Sequence, residues 1–173
     1  KGHRNPQGVI EFENKIISVE HGPRGGDEIN LIIEGKNYGW PLTSLGSHYV
    51  SNEYDIKISK ETTINNIKTE EPIFTFSPAV APSSLSVCPD NLKRYYKNYN
   101  CLMGLSLRGM SILIFLLDKK KSKVIGVEKI FLEKRLRHFG LNPEGNTFFD
   151  KENNFYITSD NDGMYKIKFN KFR

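Results

Sequence analysis

The chain has 173 residues, 38% of them hydrophobic and 26% charged, the length and balance of a soluble globular domain with a core of its own. The longest uncharged apolar stretch, 110–117, is far too short to cross a bilayer, so no membrane span is expected. A net charge of +5, from 25 basic and 20 acidic residues, suits an acidic small ligand, and no nucleic-acid-reading motif accompanies it.

Short strand-like runs alternate with turn clusters, and no long helix is predicted. The first group of strands is 7–12, 15–20 and 29–33, ended by Glu34-Gly35-Lys36-Asn37. A polar segment from about 42 to 71 follows and reads as an elaborated loop. The second group is 84–87, 101–107, 111–117 and 124–132, with the cluster Lys119-Lys120-Lys121-Ser122-Lys123 read as a solvated hairpin loop. The third is 136–141, 155–158 and 164–169, with strong turn chemistry in Asn142-Pro143-Glu144-Gly145 and Asp160-Asn161-Asp162-Gly163.

These groups predict an all-β protein built on a repeated antiparallel sheet. The boundaries fall at about 1–75, with the long polar loop, at 76–133, and at 134–173, the last group being one strand short. The pattern fits blades of a β-propeller, and the strand spacing alone also fits a β-sandwich. Three blades do not close a ring, since closed propellers have about 4–8. Cys88 and Cys101 show no metal-ligand spacing and are read as buried free thiols, with a hairpin disulfide the alternative in an oxidising compartment. No signal-peptide pattern is visible, and the first residue is Lys1, compatible with a processed protein or a fragment.

The most informative stretch is His21-Gly22-Pro23-Arg24-Gly25-Gly26-Asp27-Glu28-Ile29-Asn30. Pro fixes φ while Gly admits positive φ, so this is a tight turn that can splay carbonyls outward, with two carboxylates behind it. Outward carbonyls beside carboxylates are what Ca²⁺ requires, while the plainer reading is a polar hairpin loop. Gly2-His3-Arg4-Asn5-Pro6-Gln7-Gly8 forms a second loop dense in hydrogen-bonding groups.

These two stretches, with Asn37-Tyr38-Gly39-Trp40-Pro41, Ala81-Pro82-Ser83-Ser84, Arg135-Leu136-Arg137 and Asn142-Pro143-Glu144-Gly145, resemble the soluble quinoprotein sugar dehydrogenases. These are the glucose/sorbosone dehydrogenase-like aldose dehydrogenases that use pyrroloquinoline quinone (PQQ). The resemblance implies a six-bladed propeller of which this chain is the C-terminal half, periplasmic or secreted. It further implies oxidation of an aldose at its anomeric carbon by hydride transfer to PQQ. It places Arg4 and Asn5 at the quinone and sugar, Asp27 near the cofactor, and Arg108, Arg135 and Arg137 at its carboxylates. Gly22 and Pro23 match the pair whose carbonyls hold the cofactor's calcium. Glu28 and the backbone of Tyr38 match a second calcium site.

The alternation Arg135-Leu136-Arg137 puts both arginines on one face of a strand and the leucine on the other. No residue matches the family's catalytic His. His138 lies in the last-blade motif, where the family more often has Asp, so the base is expected outside this chain. Ser77-Pro78-Ala79 stands where some glucose-oxidising members carry a Trp and a Thr. The competing reading is a non-catalytic half-propeller that binds a second copy of itself or a missing N-terminal half. Its warrant is the missing edge strand.

Overall fold

The computed structural model describes residues 1–47, 68–120 and 123–169, and it divides into two compact units, Lys1–Ala81 and Pro82–Arg173. Among the described residues the regular structure is antiparallel strands and one short helix.

In the first unit β1 (Pro6–Phe12), β2 (Lys15–Glu20), β3 (Asp27–Ile32) and β4 (Phe74–Phe76) form one sheet in chain order. The β1–β2 hairpin turns through Glu13 and Asn14, both at positive φ, with Phe12 opposite Lys15. Ile17, Val19 and Ile29 are buried and form the apolar side of the sheet. The other side of β2 and β3 carries Ser18, Glu20 and Asn30, which are buried as well. A sheet covered on both faces thus reserves one face for polar groups, and those groups must find partners inside the protein.

In the second unit β5 (Pro82–Val87), β6 (Asn100–Ser106), β7 (Ser111–Leu117) and β8 (Val124–Phe131) form a four-stranded sheet. β9 (Leu136–Phe139), β10 (Phe155–Ser159) and β11 (Gly163–Ile167) form a three-stranded one, ordered β11-β10-β9. The near-continuous apolar run of β7 marks an interior strand, and the ring of Phe115 lies where a Cβ at Gly104 on β6 would stand, 2.7 Å away. Met103, Leu105, Ile112, Ile114, Leu136, Phe139, Phe155 and Ile157 pack into one core. The buried hydroxyl of Ser83 donates to the Leu136 carbonyl at 2.6 Å and ties β5 to β9.

Two elements are absent from the sequence reading. β4 is three residues long, too short to show a period. The helix α1 (Asp90–Tyr95) is a single turn and a half that buries Leu92, with Asp90 in its first turn and Lys93 and Arg94 in its last, the charge order that a helix dipole favours. The expected strand 136–141 ends at Phe139.

The reading of the cysteines as free thiols is corrected: Cys88 and Cys101 form a disulfide, with Cα atoms 5.5 Å apart. The Cys88 N–H also donates to the Cys101 carbonyl, so the backbone itself brings the two side chains together. The predicted polar loop lies mostly outside the described residues, as do Lys121 and Ser122 of the lysine cluster. No helix among the described residues is long and apolar enough to cross a membrane.

Candidate functional site

In the first unit the site is organised by Glu20, the last residue of β2, which is buried. Its Oε2 accepts the backbone N–H groups of Arg4 at 2.8 Å and Asn5 at 3.4 Å. Its Oε1 accepts from His3 Nδ1 at 2.9 Å and from Asn30 Nδ2 at 2.8 Å. One carboxylate therefore pins the whole Gly2–Pro6 segment against the sheet. The Asn30 amide also donates to Glu28 Oε2 at 3.1 Å, holding the second carboxylate beside the first. Burial, reinforced by the charge of Glu20 and opposed by the Asn30 hydrogen bond, pushes the Glu28 carboxyl above its ordinary range.

Arg4 projects its guanidinium over the Trp40 ring, 5.2 Å from the centroid, while Nη1 donates to the His21 carbonyl at 3.3 Å. Its Nε is buried without a hydrogen-bond partner. Asn5 lies beside His21, its Nδ2 3.5 Å from Nδ1 of the ring, and its Oδ1 accepts from Gln7.

Asp27 is buried, and its oxygens are taken up by backbone donors: Oδ1 by Gly22 at 3.0 Å, Oδ2 by Val80 at 2.8 Å and Ala81 at 2.7 Å. Its observed work is to close the Gly22 turn and to hold Ala81 at φ 52°. Gly22 itself lies against the Gly25 and Gly26 carbonyls, where a Cβ would collide. Tyr38 is buried, stacked on His3 at 4.3 Å, with its hydroxyl donating to Leu31 O and accepting from Ile33 N.

The structure thus brings Arg4, Gly22, Pro23, Glu28 and Tyr38 around one small cavity of about 10 Å³, with Glu20 and Trp40 in its wall. That is room for one water-sized body. A larger cavity of about 310 Å³ adjoins Glu28 and Tyr38 and is also lined by Thr43, Ser44, Glu70 and Glu71.

In the second unit Arg137 on β9 and Arg135 just before it reach the same carboxylate, while Leu136 between them is fully buried. Both meet Asp160: Arg137 through Nε at 2.7 Å and Nη2 at 2.9 Å, Arg135 through Nε at 3.1 Å. The guanidinium of Arg137, more than that of Arg135, holds the Asp160 carboxyl below its ordinary range. The pair therefore presents about one net positive charge and two pre-oriented forks. Arg108 is exposed in the β6–β7 turn.

Sequence reasoning missed Glu20, Asn30, His3 and Asp160. Glu20 and Asn30 sit in strands whose hydrophobic neighbours hide them, although a polar residue in a buried strand is itself a signal. Asp160 reads as a turn residue and is one, its N–H donating to the Arg135 carbonyl at 3.0 Å.

Among the described residues, antiparallel four- and three-stranded sheets with one short helix define a β-propeller fragment. The family model for Glucose / Sorbosone dehydrogenase matches residues 1–158, and the chain belongs to that family. The Escherichia coli aldose sugar dehydrogenase YliI is 45% identical over 84 residues, covering 46% of this chain and 22% of its own length. Quinoprotein glucose dehydrogenase B of Acinetobacter calcoaceticus is 58% identical over 41 residues, 23% of this chain and 9% of its own. A solved glucose dehydrogenase superposes with a TM-score of 0.71 at 26% identity, covering 98% of this chain and 45% of that one. The chain spans less than half the length of each of these relatives.

Proposed function

We propose that this chain is the C-terminal half of a PQQ-dependent aldose dehydrogenase that oxidises a sugar at its anomeric carbon. Its sheets are successive blades, bounded near residues 75 and 133. The observation that carries this reading is Arg4, whose backbone N–H is held by Glu20, whose guanidinium donates to the His21 carbonyl and lies over Trp40, and whose buried Nε has no hydrogen-bond partner. A guanidinium with an unsatisfied donor, on a residue that lines a small cavity, fits an anionic or quinone oxygen. The half-buried Glu28 carboxylate, pushed up by burial, fits a cation, and the Gly22–Pro23 turn and the Tyr38 backbone supply carbonyl oxygens.

When bound, PQQ supplies a two-electron acceptor and Ca²⁺ a Lewis acid that orients it. The chain's own contribution is binding and orientation. Arg4 and Asn5 donate toward cofactor and sugar, and Asp27 acts through the Gly22 turn it closes. Arg108, Arg135 and Arg137 offer charge-assisted donors to carboxylates. No residue of the chain matches the family's catalytic His, and in this reading the base comes from the part of the relatives that this chain does not span. The buried disulfide supports a periplasmic or secreted location.

The experiment is a calorimetric titration of the purified chain with PQQ, with and without Ca²⁺. Calcium-dependent binding that weakens at least tenfold in Arg4→Ala and Arg135→Ala supports the reading. Absence of binding at every calcium concentration overturns cofactor binding by this chain. It would favour the second reading, a non-catalytic half-propeller seeking a second copy or an N-terminal half, for which the three-stranded last sheet speaks.

A further inference from the structure

The lysine cluster at the β7–β8 hairpin does not stand alone. Cys88 and Cys101 close a loop that carries α1 and the residues after it, and this loop exposes Lys93, Arg94 and Lys97. The strand register puts Asn100 opposite Leu117 and Leu117 opposite Val124, so the loop and the hairpin emerge at the same end of the sheet. A direct bond joins them: Lys119 Nζ donates to the Lys97 carbonyl at 2.8 Å. Lys120 and Lys123 are exposed beside it. Among the described residues six cations therefore share one surface with three carboxylates: Asp90 on Lys93 at 3.3 Å, Asp118, which accepts the Lys120 N–H, and Glu128, which accepts from the Tyr96 hydroxyl.

Two tyrosines are interleaved with these cations. Tyr95 is 55% exposed and Tyr99 41%, so each presents part of its ring to the surface. The surface is also remote from Arg108 and Arg135 of the same unit. Arg108, Arg135 and the β6–β7 turn lie beyond the other ends of the same strands, and a seven-residue strand spans about 20 Å.

We propose that this basic, tyrosine-bearing surface docks the protein on an anionic lipid bilayer, with the arginine end of the sheet turned away from the membrane. Lysines and arginines near an anionic surface each add to the attraction, and tyrosine places an apolar ring and a polar tip at the headgroup level. Nucleic acid is the other polyanion of matching charge. It is disfavoured because half of the surface is built on a buried disulfide, the mark of an oxidising compartment. The proposal is independent of cofactor binding.

The test is co-sedimentation of the full chain with vesicles of phosphatidylcholine containing 30% phosphatidylglycerol, at low salt and again in 0.5 M NaCl. Binding to these and not to pure phosphatidylcholine vesicles is expected, with loss of binding in high salt. Lys97→Ala/Lys119→Ala/Lys120→Ala lowers the apparent affinity by about 100-fold, at roughly one decade or less per charge. Lys129→Ala/Lys151→Ala, which removes two exposed cations elsewhere, keeps most of it. Tyr95→Ser/Tyr99→Ser weakens binding without changing its salt dependence. The proposal is overturned by no binding at low salt, by equal binding to neutral vesicles, or by equal losses in the two lysine variants. Tighter binding to duplex DNA than to the anionic vesicles at the same salt also overturns it.

Discussion

The backbone N–H of Arg4 donates to Glu20 Oε2 at 2.8 Å, across 16 positions of chain, so a buried carboxylate in β2 fixes where the Arg4 side chain starts. The same carboxylate holds His3, Asn5 and Asn30. Glu20→Ala removes the shared acceptor and leaves the buried Asn30 amide short of a partner, at about 1–3 kcal/mol for a buried group left unsatisfied. The expected result is an unfolding free energy lowered by that amount, read as a lower urea midpoint, together with loss of PQQ affinity although no cofactor contact is removed. An unchanged midpoint would mean that the Gly2–Pro6 segment is held by something else.

Asp27 offers a sharper distinction. Both of its oxygens face N–H donors, Gly22 on one side and Val80 and Ala81 on the other. Asparagine keeps one acceptor and turns an NH₂ group toward a donor, so the shape-conserving change does not rescue the interaction. Asp27→Asn is therefore expected to destabilise about as much as Asp27→Ala, on the order of 3 kcal/mol for charge-assisted bonds to a buried carboxylate. Denaturant unfolding of the two variants side by side checks it, and a near-native Asn variant would refute it.

The Arg137–Asp160–Arg135 cluster sets a pH dependence. Arg137 foremost, then Arg135, hold the Asp160 carboxyl below its ordinary value. A depressed carboxylate stabilises the fold above its unfolded pKa, and that contribution fades as pH falls through the folded value. Asp150 behaves alike, lowered by Lys166 at 2.8 Å and by Asn154. Stability measured from pH 6 downward should decline through the acid range, and Asp160→Asn should flatten part of that decline. Since both residues are accessible to solvent, the effect is modest and shrinks with added salt. The same variant removes the neutralising charge and one of the two acceptor oxygens, so PQQ should bind it more tightly than the parent.

Most strands were legible because alternation and turn chemistry agreed: Asn14 closes β1–β2, and Asp160 to Gly163 closes β10–β11 with Ser159 opposite Gly163. The arginine face of β9 followed from the two-residue period alone. What escaped the sequence was tertiary. Phe74-Thr75-Phe76 becomes a strand only because Ile29 and Asp27 offer it an edge to pair with. Glu20 and Asn30 look like ordinary strand polar residues until the Gly2–Pro6 segment folds over them. The hairpin disulfide that the sequence left as the alternative is the one formed, because β5 and β6 are neighbours in register and bring Cys88 to Cys101.

That disulfide supports a last expectation. It closes a loop spanning thirteen positions, and the chain-entropy account assigns about 3 kcal/mol to a loop of this order. The helix it encloses is six residues long, below the length that holds helix in water, and depends on the burial of Leu92 and Tyr96 and on the Asn91 amide reaching the Phe169 carbonyl at 3.2 Å. Cys88→Ala/Cys101→Ala should therefore unfold at lower urea by about that energy, and hydrogen exchange in native buffer should quicken first at residues 92–96. Because Lys93, Arg94, Tyr95 and Lys97 ride on this loop, the variant should also bind anionic vesicles more weakly while its remaining cations are intact. Equal exchange rates in the oxidised and cysteine-free chains would show that packing alone fixes α1, and that the covalent link adds nothing to the surface it encloses.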